Sequence, residues 1–134
     1  MTSISKIEGI GEVYADKLRA AGVVTVEALL EAGKDPNGRE DLADKTGISA
    51  KLILEWVNHA DLFRIVGVGE EYSDLLEEAG VDTIPELAQR NPENLYQKLV
   101  ETNEAKELVR QLPSADAVKD WIAQAKKLKR VVTY

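Results

Sequence analysis

Apolar residues recur at spacings of three and four along most of the chain, which is the pattern of an amphipathic helix. Residues 12–21 carry the first such stretch, and Gly22 follows it as a helix stop. Two longer stretches each follow a serine that can cap a helix, Ser49 and Ser114. Only residues 131–134 are short and β-branched enough to suggest a strand. The pattern therefore predicts an all-α protein.

Other polar residues stand where further helices should begin. Thr25 and Thr83 each precede a short apolar stretch, and Glu86 completes a capping box with Thr83. Asn91 precedes Pro92, a pair typical of an N-cap and the first helical position. These signals predict two short helices and an additional helix near residues 93–100.

The chain also repeats itself. Residues 7–14 and 65–72 share the pattern Ile-x-Gly-aliphatic-Gly-Glu-x-Tyr at an offset of 58, and the match continues to Leu29 and Leu87. Beyond an insertion of about seven residues the offset becomes 65, which aligns Trp56 with Trp121. We predict two repeats, residues 1–64 and 65–134, that share a helix over residues 49–66. We expect them to pack as one compact unit with pseudo-two-fold symmetry.

Each repeat opens with two glycines that bracket one aliphatic residue, Gly9-Ile10-Gly11 and Gly67-Val68-Gly69. Glycine adopts backbone dihedral angles that other residues avoid, and the aliphatic side chain can fill the space between two helices. The pattern predicts a tight turn between helices that uses the conformational freedom of both glycines.

The glycine pattern resembles the helix-hairpin-helix motif, apolar-Gly-apolar-Gly-x-x-x-Ala, with Ala15 or Ser73 at the small position. Two such motifs in tandem are similar to the double helix-hairpin-helix fold. Residues 9–25, read as Gly-Ile-Gly-x-x-Tyr-Ala-x-x-Leu-x-x-Ala-Gly-Val-x-Thr, are similar to DUF4332, a bacterial family of unassigned function. This resemblance extends over almost the whole chain.

In nucleic-acid-binding proteins with this motif, amides at the start of the second helix hold a backbone phosphate. The resemblance implies that Ile10 and Gly11 supply these amides in the first repeat. Nearby positive charge would come from Lys6, Lys17 and Arg19.

The second turn departs from the family pattern. Its phosphate amides would belong to Val68 and Gly69, but Glu71 stands where the motif is often basic. Further acidic residues follow it, and they would repel a phosphate. We therefore interpret Gly67, Val68 and Gly69 as purely structural.

The charge balance opposes nucleic-acid binding in general. The 134 residues include 24 acidic and 17 basic side chains, for a net charge of −7, whereas nucleic-acid affinity comes largely from basic side chains. The one basic cluster contains Lys126, Lys127, Lys129 and Arg130. Two interpretations stay open for it: cations that complement a helix dipole, or an electrostatic foothold for nucleic acid or an acidic partner.

Composition also limits the chemistry. The chain has no cysteine and a single histidine, His59, which we interpret as a partly buried structural residue. We therefore expect neither an enzyme nor a metal or cofactor site.

The two tryptophans and their matched tyrosines, Tyr14 and Tyr72, fit a hydrophobic core. Residues 1–11 lack the charged start and apolar run of a signal peptide, which favours a cytoplasmic protein that does not insert into membranes.

Two functional hypotheses follow. The first is a non-catalytic binding module that contacts nucleic-acid backbone phosphates through the first hairpin, with weak binding to DNA of any sequence. The alternative is a protein–protein adaptor or scaffold, in which both hairpins are purely structural and the partner is an unidentified protein. No pattern in the sequence points to a particular oligomeric state.

Overall fold

The computed structural model describes residues 2–134, and within this range it is all-helical. A short 3-10 helix, Ile4–Lys6, precedes eight α-helices. The α-helices are α1 Glu12–Ala20, α2 Val26–Gly33, α3 Pro36–Thr46, α4 Ala50–Leu62, α5 Glu70–Glu78, α6 Ile84–Ala88, α7 Pro92–Lys106 and α8 Ala115–Lys127. In this range β-pairing is limited to an isolated bridge between Ser3 and Thr25, and residues 131–134 form no strand.

Five helices begin at the caps that the sequence predicted, whereas α3, which Asp35 caps, was not predicted. The side chains of Thr25 and Thr83 accept hydrogen bonds from the amides three residues later, at 3.0 and 3.2 Å. Ser49, Asn91 and Ser114 do the same at 3.2, 3.0 and 3.0 Å. Each side chain satisfies one of the helix-start amides that have no partner within the helix. All five predicted caps are confirmed.

The chain divides into two compact units. The first contains the chain up to Asp61 together with Val131–Tyr134, and the second is Leu62–Arg130. The helix predicted over residues 49–66 is α4, which ends at Leu62 where the second unit begins.

In the first unit, the 3-10 helix and helices α1 to α4 surround a core of aliphatic residues and one tryptophan. Its fully buried side chains include Ile4, Ile7, Leu18, Leu29, Ile53 and Trp56. Gly33 at the end of α2 lies against α4, and a Cβ atom there would come within 2.5 Å of Val57 Cγ2. A side chain at this position would therefore force the two helices apart.

In the second unit, α8 packs against α6 and α7, and α5 packs against α7. The buried side chains of this core include Leu75, Leu76, Leu87, Leu95, Leu99 and Trp121. Helix α7 lies in the part of the chain where the sequence comparison placed the extra residues of the second repeat.

The two units contain the same local structure at their glycine turns. The Ile10 amide donates to Ile7 at 3.2 Å, and the Val68 amide donates to Ile65 at 3.0 Å. At the end of the following helix, the Val23 amide donates to the Leu18 carbonyl at 2.9 Å. In the second unit, the Val81 amide donates to the Leu76 carbonyl at 2.8 Å. The repeat read from the sequence is therefore also a repeat of backbone hydrogen bonds.

Candidate functional site

The two glycines of each turn have different backbone conformations. The first ones, Gly9 and Gly67, have φ angles of +94° and +100°, a region that other residues rarely adopt. The second ones, Gly11 and Gly69, have φ angles of −80° and −115°, which any residue can adopt. The prediction that both glycines supply forbidden dihedral angles is wrong for Gly11 and Gly69.

A tryptophan from the last helix of each unit lies over the first glycine. A Cβ atom at Gly9 would lie 3.5 Å from Trp56 Nε1, and one at Gly67 would lie 3.0 Å from Trp121 Nε1. Both indoles are 2% exposed, which confirms that they belong to the core. The matched tyrosines pack on them, with ring centroids 5.1 Å apart for Tyr14 and 5.3 Å apart for Tyr72. These aromatic pairs fix the position of each turn.

The start of α1 is open to solvent. Gly11 is its N-cap and forms no side-chain capping hydrogen bond, and Gly11, Glu12 and Val13 are all exposed. The amides of a helix's first turn have no partner within the helix, and the helix dipole places partial positive charge there. This end of α1 has the geometry to bind an oxyanion.

The Ile10 amide does not belong to this group. Ile10 is buried as the plug of the turn, and its amide already donates to Ile7. A phosphate at this turn would therefore meet the amides of Gly11, Glu12 and Val13 instead.

The three predicted basic residues do not gather at the start of α1. Lys6 ends the 3-10 helix that leads into the turn, but Lys17 and Arg19 lie in the last turn of α1. At 1.5 Å per residue, their Cα atoms lie about 9 and 12 Å along the helix from Gly11. Arg19 also pairs with Asp16 at 3.3 Å. Only Lys6 is close in sequence to the turn.

The second turn is held by a residue that the sequence analysis did not single out. Gln124 of α8 accepts a hydrogen bond from the Val66 amide at 2.8 Å and donates to the Val66 carbonyl at 3.0 Å. The same position of the first repeat is His59, at the offset of 65. The side chain of His59 is buried, and burial lowers its pKa to about 4. The alignment of the two repeats could have pointed to Gln124.

An acidic cleft lies beside the second turn. It has a volume of about 700 Å³, and its lining is Glu71, Asn103, Glu104, Glu107, Leu108, Val109 and Arg110. Glu71 belongs to the first turn of α5, so an anion that approached the start of α5 would meet several carboxylates. The surroundings of the second turn oppose phosphate binding.

The basic cluster lies at the end of α8. Lys126 and Lys127 are in its last turn, Lys129 and Arg130 follow it, and all four side chains are exposed. The Arg64 guanidinium donates to the Lys129 carbonyl at 3.1 Å, which brings a fifth cation to the cluster. Arg64 is 65 residues away in sequence, so only the fold places it here.

Within residues 2–134, no group of three or more His, Asp or Glu side chains is arranged to hold a metal ion. Over the same range, every helix is too short or too polar to cross a bilayer.

The fold and the turns define an all-helical protein made of two repeats, each with a glycine turn that leads into an uncapped helix. A family model described as a domain of unknown function, DUF4332, matches residues 8–128. The chain therefore belongs to the DUF4332 family. Searches of curated proteins and of solved structures found no match.

Proposed function

We propose that this protein is a non-catalytic binding module that contacts nucleic-acid backbone phosphates through the first glycine turn. The observation that carries the proposal is the open start of α1. Six other described α-helices each begin with a side chain that accepts a hydrogen bond from a first-turn amide: α2, α3, α4, α6, α7 and α8. Helix α1 begins at a glycine that gives these amides no side-chain cap, as does α5, whose start lies beside the acidic cleft.

The helix itself does not require glycine at this position. Gly11 has an ordinary φ angle, and a Cβ atom there would meet nothing within 4 Å. A capping side chain would stabilise the helix by only about a few tenths of a kcal/mol relative to glycine, so stability alone does not decide the residue here. The lack of a side chain instead allows a ligand to approach the amides of Gly11, Glu12 and Val13 closely, as phosphates do at other glycine turns.

The surrounding charges imply weak binding without base specificity. Glu8 and Glu12 flank the turn and are exposed, whereas Lys6 is the one basic residue in the segment that leads into it. Backbone phosphates carry no base sequence, and few basic contacts release few counterions. In this proposal the basic cluster at the end of α8 provides additional electrostatic contacts to nucleic acid. The proposal includes a cytoplasmic location.

A second candidate function rests on the apolar side chains beside the turns. Val13 is 68% exposed in the first turn of α1, and Val66 is 78% exposed just before Gly67. A protein partner that packed on either turn would bury one of these side chains and remove its apolar surface from water. In this alternative the protein is an adaptor, the turns are purely structural, and binding persists after nuclease treatment.

The proposed function can be tested by fluorescence anisotropy with labelled duplex and single-stranded DNA. We expect wild-type protein to bind at about 20 mM salt and to lose most of its affinity near 150 mM, because binding depends on counterion release. Gly11→Asp, which caps α1 and occupies its amides, should weaken binding at least severalfold.

Gly69→Asp is the matched control, since it adds the same charge and the same cap at the second turn. It should leave DNA binding close to that of wild type. Absence of wild-type binding at low salt contradicts the proposal, as does an equal loss of binding in the two variants.

A further inference from the structure

The first unit is not one continuous stretch of chain. Residues Val131–Tyr134, which we call the strap, belong to it together with the residues before Leu62, and the whole second unit lies between these two parts in sequence. The second unit is therefore an insertion in the chain of the first. When the strap is bound, it closes a loop that contains every residue of the second unit.

Main-chain and side-chain contacts both hold the strap on the first unit. The Val132 side chain is 3% exposed. The Thr133 amide donates to the Lys34 carbonyl at 2.7 Å, and the Tyr134 hydroxyl is 3.1 Å from Asn58 Oδ1. Lys34 and Asn58 are residues of the first unit, so the strap contributes directly to the stability of that unit.

The strap also supplies partners for a buried cation. Arg39 of α3 is 6% exposed, and its guanidinium donates to the Gly33 carbonyl at 2.9 Å and to the Thr133 carbonyl at 2.8 Å. The Tyr134 ring lies with its centroid 5.9 Å from the guanidinium carbon. Loss of a hydrogen-bond acceptor from a buried charged group destabilises a fold. The first unit therefore favours the state in which the strap is bound.

The second unit holds its own two ends together. Near its start, the Arg64 guanidinium donates to the carbonyl of Lys129, which is one residue from its end. The main chain of Val66 also forms two hydrogen bonds with the side chain of Gln124 on α8. Because these bonds join the start of the unit to its last helix, the folded second unit keeps the beginning of the strap near the place where the chain leaves the first unit.

We propose that the strap couples the stabilities of the two units, so that each unit is more stable when the other is folded. With the strap bound, an unfolded second unit is a loop whose two ends are fixed. Closure of a loop of about 70 residues lowers the number of accessible conformations by a factor on the order of several hundred. The folded second unit does not lose this freedom on closure, because its ends are already adjacent.

The second unit thus has two ways to unfold. It either accepts the restriction of the closed loop or releases the strap from the first unit, and both make its unfolding less favourable. Coupling between two equilibria is reciprocal. A substitution in the strap should therefore destabilise the second unit as well as the first. A strap that only completes the first unit would leave the second unit unchanged.

Hydrogen exchange of the full chain, followed residue by residue by NMR, tests the coupling. Val132→Ala weakens the strap, and it should accelerate exchange severalfold at the amides of Leu76 and Leu99, two buried residues of the second core. Val132→Asp removes the buried anchor and should accelerate exchange further at the same two amides. The loop-closure factor sets the upper limit of this acceleration.

Val26→Ala is the matched control, because it makes the same substitution at another residue of the first unit that is 3% exposed. It should accelerate exchange in the first unit without unfolding it, and it should leave Leu76 and Leu99 unchanged. Unchanged exchange at these two amides in both strap variants overturns the proposal, as does an equal acceleration by Val26→Ala. None of these outcomes depends on the phosphate site at Gly11, so the two proposals fail separately.

Discussion

The position of a Cβ atom on Gly67 lies only 3.0 Å from Nε1 of Trp121, so the indole ring covers the second turn at the residue with positive φ. Trp56 covers Gly9 in the same way, with 3.5 Å between the corresponding positions. Each turn therefore has a first glycine that the backbone conformation requires, and at Gly67 the packing of the indole favours glycine as well. Neither reason applies to the second glycine of each turn.

Gly67→Ala should lower the free energy of unfolding by about 1–3 kcal/mol, because alanine is strained at positive φ and its methyl group crowds the indole. Gly69→Ala is the control in the same turn, and it should change stability by no more than about 1 kcal/mol in either direction. Urea unfolding followed by tryptophan fluorescence measures both. Equal effects of the two substitutions would show that our account of the turn is wrong.

Gln124→Ala should destabilise the second turn, because it removes both side-chain hydrogen bonds to the main chain of Val66. We expect a loss of about 1–2 kcal/mol and faster hydrogen exchange at the Val66 amide. Gln97→Ala is a control in the same unit, where the side chain is exposed and bonds only to Glu101 at 3.4 Å. Its effect should stay within about 0.5 kcal/mol. Unchanged exchange at Val66 in Gln124→Ala would contradict the prediction.

His59 should make the stability depend on pH between about 6.5 and 4. Burial lowers its pKa to about 4 in the folded protein, whereas the unfolded chain has the ordinary pKa of about 6.5. As the pH falls through this window, the unfolded state binds a proton that the folded state does not. The free energy of unfolding is therefore highest, as far as His59 is concerned, above about pH 6.5. It falls by up to about 3 kcal/mol as the pH is lowered through this window.

His59→Gln, which introduces the residue type of the matched position Gln124, should remove this pH dependence of the free energy of unfolding. Urea unfolding at several pH values between about 4 and 7 compares the two proteins over that window. Titration of carboxylates is common to both proteins, so the difference between their curves isolates His59. Parallel curves would show that His59 is not buried in its neutral form.

Val13→Lys should strengthen DNA binding severalfold at low salt, because it places a cation in the first turn of α1 beside the exposed amides. Val24→Lys is the matched control, since it adds the same charge in the same unit at a residue that is 52% exposed outside the helices. Fluorescence anisotropy with labelled duplex DNA measures the difference. A gain of the same size in both variants would mean that general charge, and not the turn, controls binding.

Much of the fold could be predicted from local features of the sequence. A cap depends on one side chain and an amide three residues away, so Ser49 and Ser114 were readable without a structure. Burial of Trp56 and Trp121 followed from their helical spacing among apolar residues. The predicted helix over residues 12–21 already placed Lys17 and Arg19 in its second half, so their distance from the turn could have been predicted from the sequence as well.

The sequence by itself determined most of the helices and five of their caps, α3 and its Asp35 cap excepted, together with the repeat and the positions of the two glycine turns. Each of these depends on residues a few positions apart or on direct comparison of the two repeats. Only the tertiary structure decided which glycine of each turn has positive φ, that Gln124 holds the second turn, and that Thr133 and Tyr134 contact Arg39. The last two features join residues that are 58 and 94 positions apart. Such contacts depend on how whole helices pack, and no local pattern encodes that packing.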